Sequence, residues 1–295
     1  MISFLREIHV YDVASISHNP FAVALAAIAA VSVAGAATGS AARKPLHGAN
    51  FWVKCRFSHI SNDDPIVHPR RPGRSHSHTF FGNRSTDAFS TPATLRAAAT
   101  NCKERADKAA YWVPTLFQNG ESLKPASIGV YHRLKTSGEI RPFPAGLKMV
   151  AGDATAVRPQ SVKVTYWTCW MSVGPSSMIP TCPERPADGG VPSVLTLHVN
   201  FPDCWDGRRL DSPDHRSHMA YSKYASCPRS HPVQLPGIGI LVAYPTYGGD
   251  GIAFSSGGQF SAHADFINGW DQQVLARIVA RCSARNAKAD CAQLD

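Results

Sequence analysis

Four aspartates, two histidines and a cysteine crowd residues 201–221, FPDCWDGRRLDSPDHRSHMAY: Asp203, Asp206, Asp211, Asp214, His215, His218 and Cys204. Turn geometry explains Gly, Pro, Asp and Asn in such a stretch, but it does not call for a His-x-x-His pair beside carboxylates. Two further stretches carry the same residue types, 74–83 (RSHSHTFFGN) and 261–271 (SAHADFINGWD). Imidazoles and carboxylates hold transition metals and move protons near neutral pH. The three stretches are expected to converge on one polar site.

Spacing suggests how a metal would be held. On a strand, His76 and His78 share one face, with Ser77 and Thr79 on the other, and His263 and Asp265 likewise share a face. On a helical turn, His215 and His218 are neighbours. The candidate ligands are therefore His76, His78, His215, His218, His263 and Asp265. Such a set suits zinc, copper, iron or manganese, and a transition metal such as zinc or copper is the candidate cofactor. No diagnostic spacing such as H-E-x-x-H is present. The competing reading is that these histidines hydrogen-bond loops together inside a polar core.

Without a metal, glycoside cleavage needs two carboxylates flanking the bond. The chain has five glutamates, Glu7, Glu104, Glu121, Glu139 and Glu184, all outside the three stretches. Acid–base work then falls to Asp211, Asp214 and Asp265. A lyase would instead use His78, His218 or Tyr221 to abstract a proton and Arg74 or Arg216 to neutralise a uronate. Capping of turns accounts equally well for Asp211-Ser212-Pro213-Asp214. Trp205 and Trp270, next to Asp and Gly, offer rigid rings for stacking on sugars. With Arg74, Arg216 and Tyr221 they form the candidate substrate contacts. Serine nucleophiles are disfavoured by the lack of a G-x-S-x-G elbow. The Gly-rich runs at 248–251 and 255–258 do not open a helix after a strand, so they do not read as a phosphate cradle.

The elements that must carry these residues are mostly strands. Strand-like runs occupy residues 51–60, 110–117, 127–134, 162–170, 194–201, 235–244 and 259–267. Asn119-Gly120 and Ser137-Gly138 are turn signals. Two helices are expected. One spans 91–101, with Thr91 as cap and Pro92 in the first turn; the other spans 271–282, capped by Asp271, with Val274, Leu275, Ile278 and Val279 as its apolar stripe. Twenty-two prolines and twenty-two glycines suit short strands and long loops. The expected fold is mainly β: a β-sandwich, jelly-roll-like, with a few decorating helices and long ordered loops.

Length and composition bound the rest. At 295 residues and 44% hydrophobic, the chain can bury a sizeable core. Its formal charge of +9 is dispersed, apart from Arg70, Arg71 and Arg74. No nucleic-acid motif accompanies that charge, so nucleic acid is not the expected partner. A basic surface also suits an anionic extracellular polysaccharide or cell-wall polymer, and a soluble basic surface without a polyanionic partner is the plainer alternative. The apolar run at 21–37 ends in Ala34-Gly35-Ala36 and reads as a signal peptide, although Glu7 and Asp12 join Arg6 before it. At about 17 residues it falls short of the ~20 of a spanning helix. Cleavage would leave a secreted or cell-surface protein with no stable membrane span. The expected divisions are signal peptide 1–37, linker 38–49, one β-rich domain 50–282 and a C-terminal tail 283–295.

Eight cysteines lie beyond the apolar run and none forms C-x-x-C, which reads as disulfides in an exported chain. Eight allow 105 pairings. The simplest joins Cys169–Cys182, Cys204–Cys227 and Cys282–Cys291, leaving Cys55–Cys102. The second of these would clamp the ends of the histidine-bearing loop.

Seven motifs in order carry a family resemblance: DDPIV (63–67), SHSHTFFGN (75–83), YWVPTL (111–116), FPAGLKMVAGDA (143–154), FPDCWDG, LDSPDHRSHMAY and HADFINGWD. Over roughly residues 50–282 the chain resembles the secreted fungal and bacterial family catalogued as a domain of unknown function (DUF1996). Its fungal members are often joined to carbohydrate-binding modules, which implies an extracellular glycan context. The expectation is an exported carbohydrate-active protein cleaving a wall or environmental polysaccharide, as a hydrolase or lyase, at the His/Asp cluster. The alternative is a non-catalytic glycan- or surface-binding protein whose cluster is a structural core.

Overall fold

Period-two burial organises the chain. The computed structural model describes residues 50–134, 139–169, 173–183, 194–284 and 290–294. The expected signal segment and linker, Ser137-Gly138 and Trp170 lie outside the described residues. Strands β1 (Asn50–Cys55), β2 (Phe57–Ser61), β3 (His78–Gly82), β4 (Ala110–Pro114), β5 (Ser127–Arg133) and β6 (Lys148–Gly152) come first. They are followed by β7 (Thr165–Cys169), β8 (Leu195–Asn200), β9 (Gly237–Ala243), β10 (His263–Ile267) and β11 (Asp290–Leu294).

A six-stranded sheet runs β11-β1-β5-β9-β8-β7, and a five-stranded sheet runs β2-β3-β4-β10-β6. All of these pairs are antiparallel except β1 with β11, which is parallel. Phe51, Val53, Ile128, Val130, Leu197, Val199, Ile240 and Val242 point inward from the first sheet. Phe81, Tyr111, Val113, Met149, Ala151, Ala264 and Phe266 meet them from the second, and together they form one core. The fold is therefore a mainly β sandwich. Within the expected C-terminal tail, Asp290–Leu294 form β11, which extends the six-stranded sheet.

The local signals worked where backbone chemistry is decisive. Asn119 and Gly120 take φ of 54° and 86° and join Gln118 to Glu121 in a tight hairpin, as the type I′ geometry requires. Asp271 caps α2 (Gln272–Ser283) by accepting from Gln273 N and Val274 N, and Leu275, Ile278, Val279 and Cys282 are buried. The other helix, α1 (Pro92–Ala97), is shorter than its sequence suggests. Tertiary bonds end it. Asn101 Oδ1 accepts from Arg56 N and Gly82 N, its Nδ2 donates to Phe57 O, and Cys102 is bonded to Cys55. The four disulfides are Cys55–Cys102, Cys169–Cys182, Cys204–Cys227 and Cys282–Cys291. Among the described residues, no helix is long and apolar enough to cross a membrane.

Two buried ionisable groups in the core give stability a pH dependence. His132 stacks on Phe51 with centroids 4.3 Å apart, and burial pushes its imidazole down to about 3. Below pH 6.5 the unfolded chain binds a proton there that the folded chain excludes. Stability therefore falls from about pH 6.5 towards 3, by roughly 1.4 kcal/mol per unit. Asp107 has the opposite sign. Burial pushes its carboxyl up to about 8, so the folded chain keeps a proton that the unfolded chain releases. That contribution is lost as pH rises from about 4 to 8. In the melting temperature these two contributions offset each other between about pH 4 and 6.5; His132 lowers it below that range and Asp107 above it. A His132→Phe variant, which keeps the stack, should have a shallower acid limb; an unaltered limb would exclude this account.

Candidate metal centre

Strands β3, β4 and β10 are buried along their whole length, because both faces of the five-stranded sheet are covered. The outer face packs Phe80, Ala110, Trp112, Val150 and Ile267 against Ile66 of the 62–77 loop and Leu95 of α1. Register decides what sits at the end of this small core. His78 lies opposite Pro114, His263 lies opposite Gly152, and Phe80 and Asp265 both lie opposite Trp112. Alternation therefore puts His78, His263 and Asp265 on the same outer face. Gly152 (φ +80°) allows the close approach of β6. A Cβ there would lie 2.8 Å from His263 Cα and would also collide with Ala262 O.

Three imidazole nitrogens converge. His263 Nε2 lies 3.2 Å from His76 Nε2 and 3.4 Å from His78 Nε2. His76 precedes β3 and reaches in from the loop, whereas His78 opens the strand, so the two meet without sharing a strand face. The backbone fixes two tautomers: His263 Nδ1 donates to Ser261 O at 2.8 Å and His78 Nδ1 donates to Asp63 O at 3.0 Å. Each ring then presents a bare lone pair at Nε2, and the two lone pairs face each other. A cation between them relieves the repulsion. A proton is disfavoured at neutral pH. Burial, with the neighbouring imidazoles, drives His78 well below its ordinary value; burial also takes His263 to about 3 and His76 to about 4. Two nitrogens each 2.0–2.1 Å from a tetrahedral metal stand about 3.3 Å apart, so the observed spacings fit a shared ion.

A carboxylate completes the set. Asp265 Oδ2 is 4.0 Å from His263 Nε2 and has no hydrogen-bond partner although it is buried. Burial and the nearby Asp64 raise its pKa well above the usual carboxylate range. An orphaned carboxylate oxygen beside two bare lone pairs is what a bound cation would explain. Asp64 enters from the loop: its donor atom and those of His78 and Asp265 lie within 4.8 Å of one another. Its Oδ1 also accepts from Ile66 N and Val67 N, and burial raises its pKa. Sequence reasoning missed Asp64 because Asp63-Asp64-Pro65 reads as a turn. It also missed the carbonyls of Asp63 and Ser261, which no side-chain pattern reveals.

The 201–221 stretch flanks this centre, and none of its side chains joins the converging donors. It is fastened to the edge strand β6 at Lys148. The Lys148 N–H donates to Leu210 O, its Nζ reaches Asp211 Oδ2 at 3.1 Å, and its carbonyl accepts from His218 Nε2 at 2.7 Å. The other His218 nitrogen meets Ser212 Oγ at 2.8 Å. His218 is thus buried, with both ring nitrogens bonded to the surrounding loop and strand. Asp214 is exposed and caps a turn: its Oδ1 accepts from Ser212 Oγ, Arg216 N and Ser217 N, and these bonds lower its pKa. No helical turn forms, and His215 takes a φ of 56° with Nδ1 2.8 Å from Asp211 Oδ1. Burial alone would raise the Asp211 pKa, but bonds from His215 and Lys148 lower it overall.

The expected ligand-facing rings also lie elsewhere. Trp270 is completely buried in the core, and the half-buried Trp205 donates to Arg209 O. Tyr221 exposes its ring while its hydroxyl donates to Asn200 O, and Arg74 is an exposed turn residue. Arg216 is exposed, and its charge is felt at His263 and Asp265.

Residues 64–270 match the family model described as a domain of unknown function (DUF1996). No curated protein and no solved structure matches the chain.

Proposed function

Since the chain belongs to the family described as a domain of unknown function (DUF1996), its function has to be read from its own residues, and we propose an exported, metal-dependent carbohydrate-active enzyme. Its centre holds a transition metal such as zinc or copper between His76, His78, His263 and Asp265. It acts as a hydrolase or lyase on a wall or environmental polysaccharide. The observation that carries this reading is the pair of bare Nε2 atoms 3.4 Å apart, each oriented by a backbone carbonyl on the far side of its ring. Such outer partners orient histidine ligands in metal sites.

A metal so placed supplies Lewis acidity and a water that ionises near neutral pH. The half-buried His76 marks the side open to solvent, while His78 and Asp265 are closed off. The four disulfides support an oxidising compartment.

A binding role without catalysis has one observation in its favour. On the outer face of the six-stranded sheet, Trp52 stacks on Tyr131 at 5.8 Å, beside a groove of about 150 Å³ that also touches Lys54 and Leu241.

Elemental analysis of untagged, disulfide-intact protein, followed by chain-length assays on polysaccharides with and without chelator, separates the two readings. One equivalent of metal and chelator-sensitive cleavage are expected. A metal-free protein that binds glycan through Trp52 without cutting it would establish the binding role instead.

A further inference from the structure

The 62–77 loop leaves the five-stranded sheet after Ser61 and rejoins it at His78, and these two residues are paired in the register of β2 with β3. Its mouth is closed by Ser75 N, which donates to Asn62 O at 3.0 Å, and by Gly73 N, which donates to Asp63 Oδ1 at 2.9 Å. Residues 69–74 at its outer end are all exposed. Ile66 is its apolar hold, packed with Phe80, Leu95 and Trp112.

Asp64 stands where this loop touches the sheet. It is buried, and its Oδ1 is spent on Ile66 N at 2.8 Å and Val67 N at 2.9 Å, which leaves Oδ2 for another partner. Two backbone donors thus fix the direction of the carboxylate, as outer partners fix metal ligands. Its donor atom lies within 4.8 Å of those of His78 and Asp265. Asp265 is only 1% exposed and has a buried oxygen with no partner. Two buried carboxylates this close repel when both are charged, and a buried charge without a partner is costly. A cation between them removes both penalties. His78 also belongs to the three-imidazole group, in which His76, from the far end of the same loop, meets His263 at 3.2 Å. Donors from both ends of the loop therefore converge on β3 and β10.

We propose that Asp64 is a further ligand of the centre, and that the bound ion clasps the 62–77 loop to the sheet by holding Asp64 and His76 against His78, His263 and Asp265. This rests on reading the centre as a metal site. The loop then has two fastenings of different kinds. Ile66 holds it by apolar contact at all times, whereas the clasp exists only with the ion. His76 is the half-buried ligand on the solvent side, so the clasp also sets the position of the ligand nearest the open face. The donor set mixes nitrogen and oxygen. Imidazole suits zinc and copper and carboxylate suits manganese, which makes these three ions the probes.

The test is backbone hydrogen exchange, read by mass spectrometry, on disulfide-intact protein with chelator or with zinc, copper or manganese added singly. Metal content and affinity are measured alongside, for the parent and for Asp64→Asn. Asparagine keeps an Oδ1 acceptor for Ile66 N and Val67 N but is a poor ligand, so the turn survives and the ligand is lost. At a metal concentration about 100 times Kd, an opening that breaks the site becomes about 100-fold rarer. Exchange in peptides covering 62–77 of the parent should therefore slow by at least about tenfold. Asp64→Asn should bind the metal at least about tenfold more weakly, and its metal-free melting temperature should be no lower than the parent's. Parent affinity in Asp64→Asn, or loop exchange that ignores a bound ion, would overturn the clasp and leave the three-histidine centre standing. An affinity unchanged beside a lowered melting temperature would make Asp64 a turn residue alone. A parent that takes up none of the three metals fails the centre and the clasp together.

Discussion

Replacing His78 by alanine is expected to abolish metal binding while leaving the fold in place. His78 contributes one of three convergent nitrogens, and only one of its bonds, to Asp63 O, serves the surrounding loop. Losing an outer partner of a ligand costs about 10–100-fold in metal affinity, and losing the ligand itself costs more. The readout is the metal-induced rise in melting temperature. At a metal concentration about 100 times Kd, binding stabilises by about 2.7 kcal/mol. For a domain of this size that amounts to roughly 5–10 °C. The rise should vanish in His78→Ala and in His263→Ala, and it should persist in His218→Ala from a lower baseline, because both His218 nitrogens hold the loop to Ser212 and Lys148. A full rise in His78→Ala and His263→Ala would remove the centre from consideration.

Trp270→Ala should cost about 3–5 kcal/mol in urea unfolding, the range for truncating a buried aromatic. Its ring stands edge-on to Phe51 at 6.3 Å and to His132 at 5.9 Å, at the meeting of α2 with the six-stranded sheet. Its Nε1 donates to the Tyr111 hydroxyl at 3.4 Å, and that hydroxyl donates in turn to buried Asp107. Truncation opens a cavity and removes one donor from a buried network. A loss under about 1 kcal/mol would mean that the ring is not a core element. Metal uptake by the fraction that remains folded should be unchanged, because Trp270 touches none of the converging histidines.

The sequence made His263-x-Asp265 readable as a shared face because strand periodicity is local and strict. It marked Thr91 and Asp271 as caps, Asn119-Gly120 as a turn and the sandwich class as a whole for the same reason. Which stretch supplies the donors was not local. In the densest cluster, 211–218, the side chains of Asp211, Ser212, Asp214, His215 and His218 bond within the cluster and to Lys148, as short polar side chains in turns do. The sparser DDPIV run supplied Asp64, whose role depends on where Ser75 N–Asn62 O closes the loop over the sheet. Trp270 was misread because a tryptophan between Gly and Asp looks like a loop residue, whereas Asp271 begins a helix that draws the ring into the core.

Strand β1 is bonded to β11, so the first described strand of the fold waits for the last. The centre has the same long reach, with His76 and His78 meeting His263 across 187 and 185 residues of chain. Contacts between such distant parts of a chain form slowly, because loop closure must come before them. The complete six-stranded sheet cannot form before residues 290–294 are available, nor the three-histidine constellation before His263 is. If the proposed centre takes a metal, its capture would therefore be a late event, set by the supply in the compartment where folding finishes.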